Sequence, residues 1–457
     1  MGSTFSSNLS VSKEDFDASQ SQTYKRHKTL LTCEGNSRLI PCLPDELSLQ
    51  ILARVPRICY LKLKLVSRSW KQALVSSQLF KVRKELRTTE EWLYILTKGQ
   101  DNQLFLYALD PLSGRWQRLP KLPGGAFEDE PQKGFGGLGM WNLVGSNSRI
   151  SCAMRGWLGK KDAFDPIPFS GCALGAINGC LYVLGGFSKS SAISRVWQYD
   201  TILNSWTELT PMSTGRAFSK IAILNDKLYV VGGITRGRGA VTTLQSAEVF
   251  DPHTGLWSQM KSMPCSKAQL LPTASLADLF KPIASGVTSY RGKLFVAQSL
   301  YCWPFCIDIG GEVYDPELNS WIEMPVGFSE GWPSKKPGTK LSALVNGELY
   351  VLDAFSSNDT DRIKVYDSQE DTWKVVVGST PVHEFADSEA SYLIVGILGK
   401  LCLITKDDNC KIKVLQAEIE SPSSSSSGNR FHEHFWTVVA TKNTMSTELV
   451  SCQTLEI

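Results

Sequence analysis

Short apolar runs recur along most of the chain after residue 89, and pairs of turn-forming residues separate them. In one clear case, the run 171–177 leads through Asn178-Gly179 into the apolar run 180–184. Asn-Gly between two apolar runs favours a tight hairpin, because both residues tolerate positive φ angles. Comparable turns follow at Asn225-Asp226, Arg291-Gly292, Asn346-Gly347 and Leu398-Gly399. The pattern predicts a series of antiparallel β-hairpins.

A second kind of hairpin is marked by an aspartate that stands six positions before a tryptophan. The spacing occurs at Asp110/Trp116, Asp200/Trp206, Asp251/Trp257, Asp315/Trp321 and Asp367/Trp373. An aspartate at the end of a strand can bond the backbone just downstream and so begin a turn. The tryptophan then opens the next strand. We therefore interpret these aspartates and tryptophans as scaffold residues rather than as catalytic ones.

Two successive hairpins make one four-stranded antiparallel unit. Four strands at roughly 50 residues per repeat are typical of a β-propeller blade. The units are centred on Trp92–Trp116, Gly171–Trp206, Ser219–Trp257, Val287–Trp321, Leu341–Trp373 and Leu393–Trp436. The sixth unit lacks the aspartate-to-tryptophan spacing. The sequence predicts a mainly β fold with a six-bladed propeller, and leaves five or seven blades as alternatives.

Between about residues 38 and 86 the apolar period changes from two to that of a helix. Leu43, Leu47, Ile51 and Val55 fall on every fourth position, and proline at position 56 is expected to end the first helix at residue 55. A second apolar set runs from residue 60 to residue 80. We predict a compact three-helix unit, which is too small to bury much by itself and should dock on another surface.

Composition limits the function classes without choosing one. The chain has 457 residues and a formal net charge of +3, so no strong general attraction to nucleic acid or membranes is expected. There is no apolar stretch long enough to span a bilayer, and the first residues lack the apolar core of a secretory signal. We therefore expect a protein of the cytoplasm or nucleus whose cysteines are reduced. Its expected parts are a disordered tail (1–36), a helical domain (37–88), the propeller (89–440) and a C-terminal segment (441–457) that could close the propeller.

Candidate chemistry outside the repeats is sparse. Gly134–Gly139 matches a dinucleotide-binding glycine pattern, but it follows no strand and opens no helix, which favours a plain loop. His432 and His434 alternate as on one strand face without a further group of ligands, so no metal or other cofactor is expected. Gly2 fits the bare pattern for myristoylation, although a plain disordered tail is the favoured interpretation. The stretch Arg57–Arg87 has nine Lys or Arg and one acidic residue, which favours a solvated face or one that attracts an acidic partner over a nucleic-acid site.

Two sets of motifs resemble a known family. Leu43–Leu47, Ile51-Leu52 and Leu65–Trp70 resemble an F-box in order and spacing. The Gly-Gly pairs at Gly185-Gly186 and Gly232-Gly233, with the repeated tyrosine, aspartate and tryptophan, resemble kelch repeats. Together they are similar to the F-box/kelch-repeat family, which is especially abundant in plants.

The resemblance implies a non-catalytic substrate receptor of a cullin-RING ubiquitin ligase. The helical domain would bind the Skp-type adaptor, and through it a cullin, while the propeller would hold the target protein. The implied adaptor contacts, or their direct support, are Leu43, Pro44, Leu47, Ile51, Leu52, Val66 and Trp70. Two alternatives stay open: a kelch scaffold for non-degradative or cytoskeletal interactions, and a metal-dependent kelch-fold enzyme.

Target binding is expected on loops at the ends of the propeller, because its strands are committed to packing. The longest excursions are Lys121–Phe169, Ile234–Ser246, Lys261–Gly286 and Val326–Lys340. Trp141, Trp157, Trp303 and Trp332 lie in or near them. These tryptophans could anchor a partner or cover the ends of the barrel.

Overall fold

Six four-stranded antiparallel sheets make up most of the described chain. The computed structural model describes residues 38–99, 103–123, 171–188, 191–236, 241–265, 282–302, 305–332, 341–353, 362–377, 392–407, 409–417, 436–444 and 446–457. The expectations for the tail 1–36, Gly2, Gly134–Gly139, Trp141, Trp157, Trp303, His432 and His434 lie outside these residues.

Each sheet is one blade, and its strands follow here from the innermost to the outermost. Blade 1 contains β28 (Ser446–Glu456), β1 (Glu91–Gly99), β2 (Leu104–Asp110) and β3 (Arg115–Arg118). Blade 2 contains β4 (Ala173–Ile177), β5 (Cys180–Leu184), β8 (Val196–Asp200) and β9 (Ser205–Leu209). Blade 3 contains β10 (Lys220–Leu224), β11 (Lys227–Val231), β14 (Ala247–Asp251) and β15 (Leu256–Gln259).

The other three blades have the same order. Blade 4 contains β16 (Ile283–Tyr290), β17 (Lys293–Cys302), β18 (Phe305–Asp315) and β19 (Ser320–Glu323). Blade 5 contains β20 (Ser342–Val345), β21 (Glu348–Asp353), β22 (Arg362–Asp367) and β23 (Thr372–Val377). Blade 6 contains β24 (Leu393–Ile397), β25 (Lys400–Lys406), β26 (Lys411–Ala417) and β27 (Trp436–Asn443). Two short hairpins are added, β6 (Phe187–Ser188) with β7 (Ser191–Ala192), and β12 (Ile234–Arg236) with β13 (Val241–Thr243).

The innermost strands pack against one another in a closed ring, from β28 through β4, β10, β16, β20 and β24 back to β28. The prediction of a six-bladed propeller is therefore confirmed. The ring is closed by strands from two distant parts of the chain, since β28 pairs antiparallel with β1 from Glu91↔Glu456 to Gly99↔Ser446. Beyond that pairing, the N–H groups of Glu90 and Ile457 each donate to the other's carbonyl.

The tight turns have the backbone that the sequence predicts. Both residues of the turns at 178–179, 225–226, 291–292, 346–347 and 398–399 have φ angles between 47° and 83°. These turns join the two inner strands that follow one another in blades 2 to 6. A residue with a side chain tolerates this region poorly unless it is asparagine or aspartate, so Arg291 and Leu398 are held there by the strands on either side.

The repeated aspartate and tryptophan have two different roles in blades 2 to 5. In blade 2, the Asp200 carboxylate accepts hydrogen bonds from the N–H groups of Ile202 and Leu203 at 2.7 and 2.9 Å and so fixes the turn. The tryptophan side chain points at the preceding blade, where its Nε1 donates to a backbone carbonyl. These bonds run from Trp206 to Pro120, from Trp257 to Thr210, from Trp321 to Lys261 and from Trp373 to Phe328, at 2.7–3.0 Å. The constant spacing thus joins blades as well as strands.

We expect Trp257→Phe to lower the free energy of unfolding by about 1 kcal/mol, because it removes the hydrogen bond to Thr210 while keeping an aromatic ring. Trp116→Phe is the matched control, since the buried Nε1 of Trp116 has no hydrogen-bond partner in the structure. Urea denaturation of both variants measures the difference. Equal losses of stability would show that the hydrogen bond between blades contributes nothing.

A helical domain precedes the propeller. It contains α1 (Asp45–Ala53), a 3-10 turn (Arg57–Cys59), α2 (Tyr60–Leu63), α3 (Arg68–Leu74) and α4 (Ser77–Glu85). A further helix, α5 (Val326–Glu330), lies between blades 4 and 5. The expectation of three helices is wrong, because two serines break the second apolar stretch. Ser67 Oγ accepts from the N–H of Trp70 at 3.0 Å and Ser76 Oγ from that of Leu79 at 3.2 Å, and each serine thereby begins a new helix.

Candidate functional site

The helical domain has its own small core. Its buried members are Leu49, Leu52, Ala53, Tyr60, Ala73, Leu74 and Leu79. The apolar residues of α1 differ in burial. Leu52 is fully buried, whereas Leu47 and Ile51 are 47% and 45% exposed. One side of α1 therefore holds the domain together, and the other has apolar side chains that the described residues leave about half exposed.

Other exposed apolar side chains come from the segment 61–66. Leu61 is 50% exposed, Leu65 86% and Val66 59%. Large apolar residues exposed singly are ordinary on a protein surface, whereas several on one small domain mark an interaction surface. We call Leu47, Ile51, Leu61, Leu65 and Val66 the apolar face.

The seven residues expected to contact or support an adaptor are placed differently. Pro44, Leu47, Ile51 and Val66 are exposed. Leu43 and Trp70 are partly buried, and Nε1 of Trp70 donates to the carbonyl of Leu39 at 2.8 Å, which joins α3 to the segment before α1. Leu52 is fully buried, so its place is one of support rather than of contact.

Two exposed members of the apolar face, Leu61 and Leu65, are absent from the sequence-based set. Their signal was present as apolar residues at helical spacing, which is equally typical of a core. The short length of α2 decides between a core position and a surface position. Helix α2 ends at Leu63 and leaves Leu65 and Val66 in the connection to α3.

The charges beside the segment 61–66 of the apolar face are positive, whereas Asp45 and Glu46 are exposed next to Leu47. Lys62 and Arg68 are exposed, and Lys64 is partly buried between them. Burial lowers the pKa of Lys64, and the neighbouring cations Arg57 and Lys71 lower it further. A partner that covers the apolar face would therefore gain from acidic groups at its rim.

The helical domain is attached to the propeller by Glu90, close to Leu61 and Lys64, which line a cleft together with Trp92 and Thr201. Its Oε1 accepts from Nη2 of Arg83 at 2.8 Å and from the N–H of Arg57 at 2.9 Å, while its Oε2 accepts from Nε1 of Trp92 at 3.0 Å. Arg57 also donates through Nη2 to the carbonyl of Thr201 in blade 2. The helical domain is thus anchored to blades 1 and 2.

Arg83 is the buried centre of this attachment. Its side chain is 2% exposed, and it also donates to the carbonyls of Val55 and Thr88 and to the Tyr60 hydroxyl. Burial raises the pKa of the Tyr60 phenol, and the nearby Arg83 acts in the opposite direction. Of the basic stretch 57–87, Arg57 and Arg83 therefore serve the joint between the domains.

The propeller offers few reactive groups in its described part. Within the described ranges, His, Cys, Asp and Glu nowhere form a group of three or more that could hold a metal ion. Eight cysteines in these ranges are free, and burial raises the pKa of the Cys172 thiol to about 12. Trp332 stacks on Phe328 at 5.3 Å and so belongs to the packing between blades 4 and 5.

Among the helices that the structure describes, none is long and apolar enough to cross a membrane.

Comparison with known proteins agrees with both parts of the fold. The F-box domain family matches residues 40–82, and the Kelch motif family matches residues 168–213 and 215–264. The F-box/kelch-repeat protein At1g22040 of Arabidopsis thaliana is 50% identical over 100% of both chains. Another from the same plant, At1g67480, is 26% identical over 81% of this chain and 80% of its own. The F-box protein AFR of Arabidopsis thaliana is 25% identical over 69% of this chain and 68% of its own.

Proposed function

The chain belongs to the plant F-box/kelch-repeat family, and on that basis we propose that it is the substrate-recognition subunit of an SCF-type cullin-RING ubiquitin ligase. In this role the helical domain binds a Skp-type adaptor and through it a cullin, and the propeller binds the protein to be ubiquitinated. The transfer of ubiquitin is carried out by other subunits, and this chain acts as a receptor in the cytoplasm or nucleus.

The observation that carries the proposal is the apolar face of the helical domain. Its five large side chains are between 45% and 86% exposed. Covering each of them is worth up to roughly 1.5–3 kcal/mol, so three or four suffice for a stable interface. The basic residues around the face, Lys62, Lys64 and Arg68, favour an acidic adaptor.

The attachment between the domains supports the same role. A receptor must hold its target at a fixed place relative to the rest of the ligase. The bonds of Glu90 to Arg57 and Arg83 on one side and to Trp92 on the other provide a rigid joint between the two binding surfaces.

We expect the double variant Leu47→Asp and Val66→Asp to lose adaptor affinity by at least a hundredfold, because each substitution places a charge in the apolar interface. Both side chains are about half exposed, at 47% and 59%, so the domain should keep its fold. Isothermal titration calorimetry of the purified full chain with a Skp-type adaptor measures the affinity, and circular dichroism checks the fold.

The control for this experiment is Leu256→Asp, which changes an apolar side chain of blade 3 that is 63% exposed. This variant should bind the adaptor as the unchanged chain does. Absence of adaptor binding by the unchanged chain, or full binding by the double variant, would contradict the proposal. A degradative role further requires that proteins bound to the propeller become more abundant when the proteasome is inhibited.

A further inference from the structure

One end of the central channel opens into a cavity of about 230 Å³, which we call the channel mouth. Its wall is built by the first residues of the inner strands β4, β10, β16 and β20 and by the first half of β28. Lys220 and Ser219 at the start of β10, Ser285 in β16, and Lys98 and Glu448 of blade 1 contribute the side chains that matter here.

The channel mouth faces away from the helical domain. Strand β4 begins at the mouth and ends at the turn of Gly179, whose carbonyl accepts from the N–H of Thr201 at 3.4 Å. Thr201 is the residue that Arg57 of the helical domain bonds. The propeller therefore separates the apolar face from the mouth, and a ligand at the mouth does not compete with an adaptor for space.

Two additional β-hairpins lie at the channel mouth. Strands β5 and β11 run back towards the mouth and continue into the hairpins β6–β7 and β12–β13. Phe187 of β6 packs edge-on against Phe218, a residue of the cavity wall, with ring centroids 6.1 Å apart. The propeller thus has its extra hairpins at this end, where they extend the wall of the cavity.

Lys220 gives the mouth an unbalanced positive charge. Its amine forms no hydrogen bond or ion pair with a described residue, and its side chain is partly buried. Burial lowers the pKa of Lys220, as expected for an amine that has no counter-ion among the described residues. The other charged side chains of the wall oppose each other, since Lys98 Nζ lies 3.8 Å from Glu448 Oε2.

Ser219 and Ser285 line the same wall as Lys220. Their side-chain oxygens are covered and have no hydrogen-bond partner among the described residues. Buried hydroxyl groups are nearly always bonded, so two such groups in one wall need an explanation. Neither hydroxyl would lose a described hydrogen bond by rotating about χ1 to meet a ligand.

We propose that the channel mouth binds the carboxylate of an acidic side chain on the target protein, with Lys220 as its counter-ion and Ser219 and Ser285 as hydrogen-bond donors. This inference rests on the proposed role of the propeller as the receptor for a target. A single unbalanced lysine matches one negative charge, which favours a carboxylate over a doubly charged phosphate. The apolar side chains of Phe218, Ile221 and Val287 in the same wall suit apolar neighbours of the acidic residue.

The direct test follows the Lys220 side chain in the full chain. The lysines are dimethylated with ¹³C and observed by NMR spectroscopy. The Lys220 signal is assigned by its disappearance in the Lys220→Arg variant. The probe is the blocked peptide Gly-Leu-Glu-Leu-Gly. The glutamate peptide should shift the Lys220 signal saturably and raise its titration midpoint, because the carboxylate stabilises the charged amine. Affinity should accordingly fall as the pH rises above that midpoint. The same peptide with glutamine in place of glutamate should have no effect.

Variants give the second measurement, made by calorimetry with the glutamate peptide. We expect Lys220→Met to weaken binding at least tenfold and Ser219→Ala about fivefold, without loss of thermal stability in the serine variant because no hydrogen bond is removed. The matched control is Lys227→Met on the neighbouring strand, whose amine is already paired with Asp251 at 3.2 Å. If Lys220→Met does not fold, the titration of the Lys220 signal in the unchanged chain with the glutamate peptide still tests the proposal.

Four outcomes would overturn the inference. The Lys220 signal could stay unmoved, or the glutamine peptide could act as strongly as the glutamate peptide. Tighter binding of a phosphoserine peptide would assign the mouth to a doubly charged group. An equal shift with acetate or inorganic phosphate at the same concentration would make it a site for free small anions. All four are independent of adaptor binding at the apolar face, so they are distinguishable from a failure of the ligase assignment.

Discussion

Deletion of Ser446–Ile457 is expected to abolish the cooperative folding of the propeller. The deleted strand β28 is the innermost strand of blade 1 and pairs with β1 along the whole of that strand. It also packs against the inner strands of both neighbouring blades, β4 and β24. Its removal leaves blade 1 without its inner edge and opens the ring between blades 6 and 2.

The size of the effect follows from what β28 and the last residue bury. Leu449, Cys452, Leu455 and Ile457 are all at most 6% exposed. Full burial of a large apolar side chain is worth roughly 1.5–3 kcal/mol, so the three aliphatic residues alone contribute about 5–9 kcal/mol. That amount is comparable with the whole stability of a typical domain, which is about 5–15 kcal/mol.

Differential scanning calorimetry and size-exclusion chromatography of the truncated chain measure the result. We expect no cooperative transition and a tendency to associate, because the free edge of β1 is a template for pairing with other chains. Deletion of residues 1–36, which lie outside the described part, serves as the control and should leave the transition unchanged. A truncated chain that still melts cooperatively within a few degrees of the full chain would contradict the closure by β28.

The parts of the fold that could be predicted are those that neighbouring residues determine. Asn178-Gly179 adopts the positive φ angles of its turn, and the Asp200 carboxylate bonds the next two N–H groups, because both effects act within a few residues. The C-terminal segment 441–457 was a candidate for closing the propeller, but its pairing with β1 and the register of that pair could not be identified in this way. Strand β28 lies at the far end of the sequence, and local pattern does not say which distant edge a strand completes.

The same limit applies to the binding surfaces. Leu47, Ile51 and Leu52 share an apolar period, yet only the packed domain shows that Leu52 is core and that the other two are exposed. Lys220 has the sequence pattern of an ordinary strand residue. It becomes a candidate ligand-binding group only because six inner strands close around one channel and leave its amine without a partner among the described residues.

Replacement of Glu90 by alanine is expected to loosen the attachment of the helical domain to the propeller. Glu90 is the one acidic group that the described residues place against the buried Arg83, and its side chain is 16% exposed. Removing one partner of a buried ion pair destabilises by about 3–5 kcal/mol, since the other charge stays buried and unpaired. Here the loss should lie near 3 kcal/mol, because Arg83 keeps its bonds to Val55, Tyr60 and Thr88.

The location of this loss distinguishes it from general destabilisation. Glu90→Ala removes the bonds to Arg57, Arg83 and Trp92 together, so hydrogen exchange should speed up in the 3-10 turn and in α4, while blades 3 to 5 stay protected. Glu85→Ala is the control, because Glu85 is exposed on α4 and should have no such effect. Adaptor binding should survive in Glu90→Ala, since none of the bonds removed involves a residue of the apolar face. Faster exchange spread evenly over all blades would instead mean that Glu90 stabilises the propeller and not the joint.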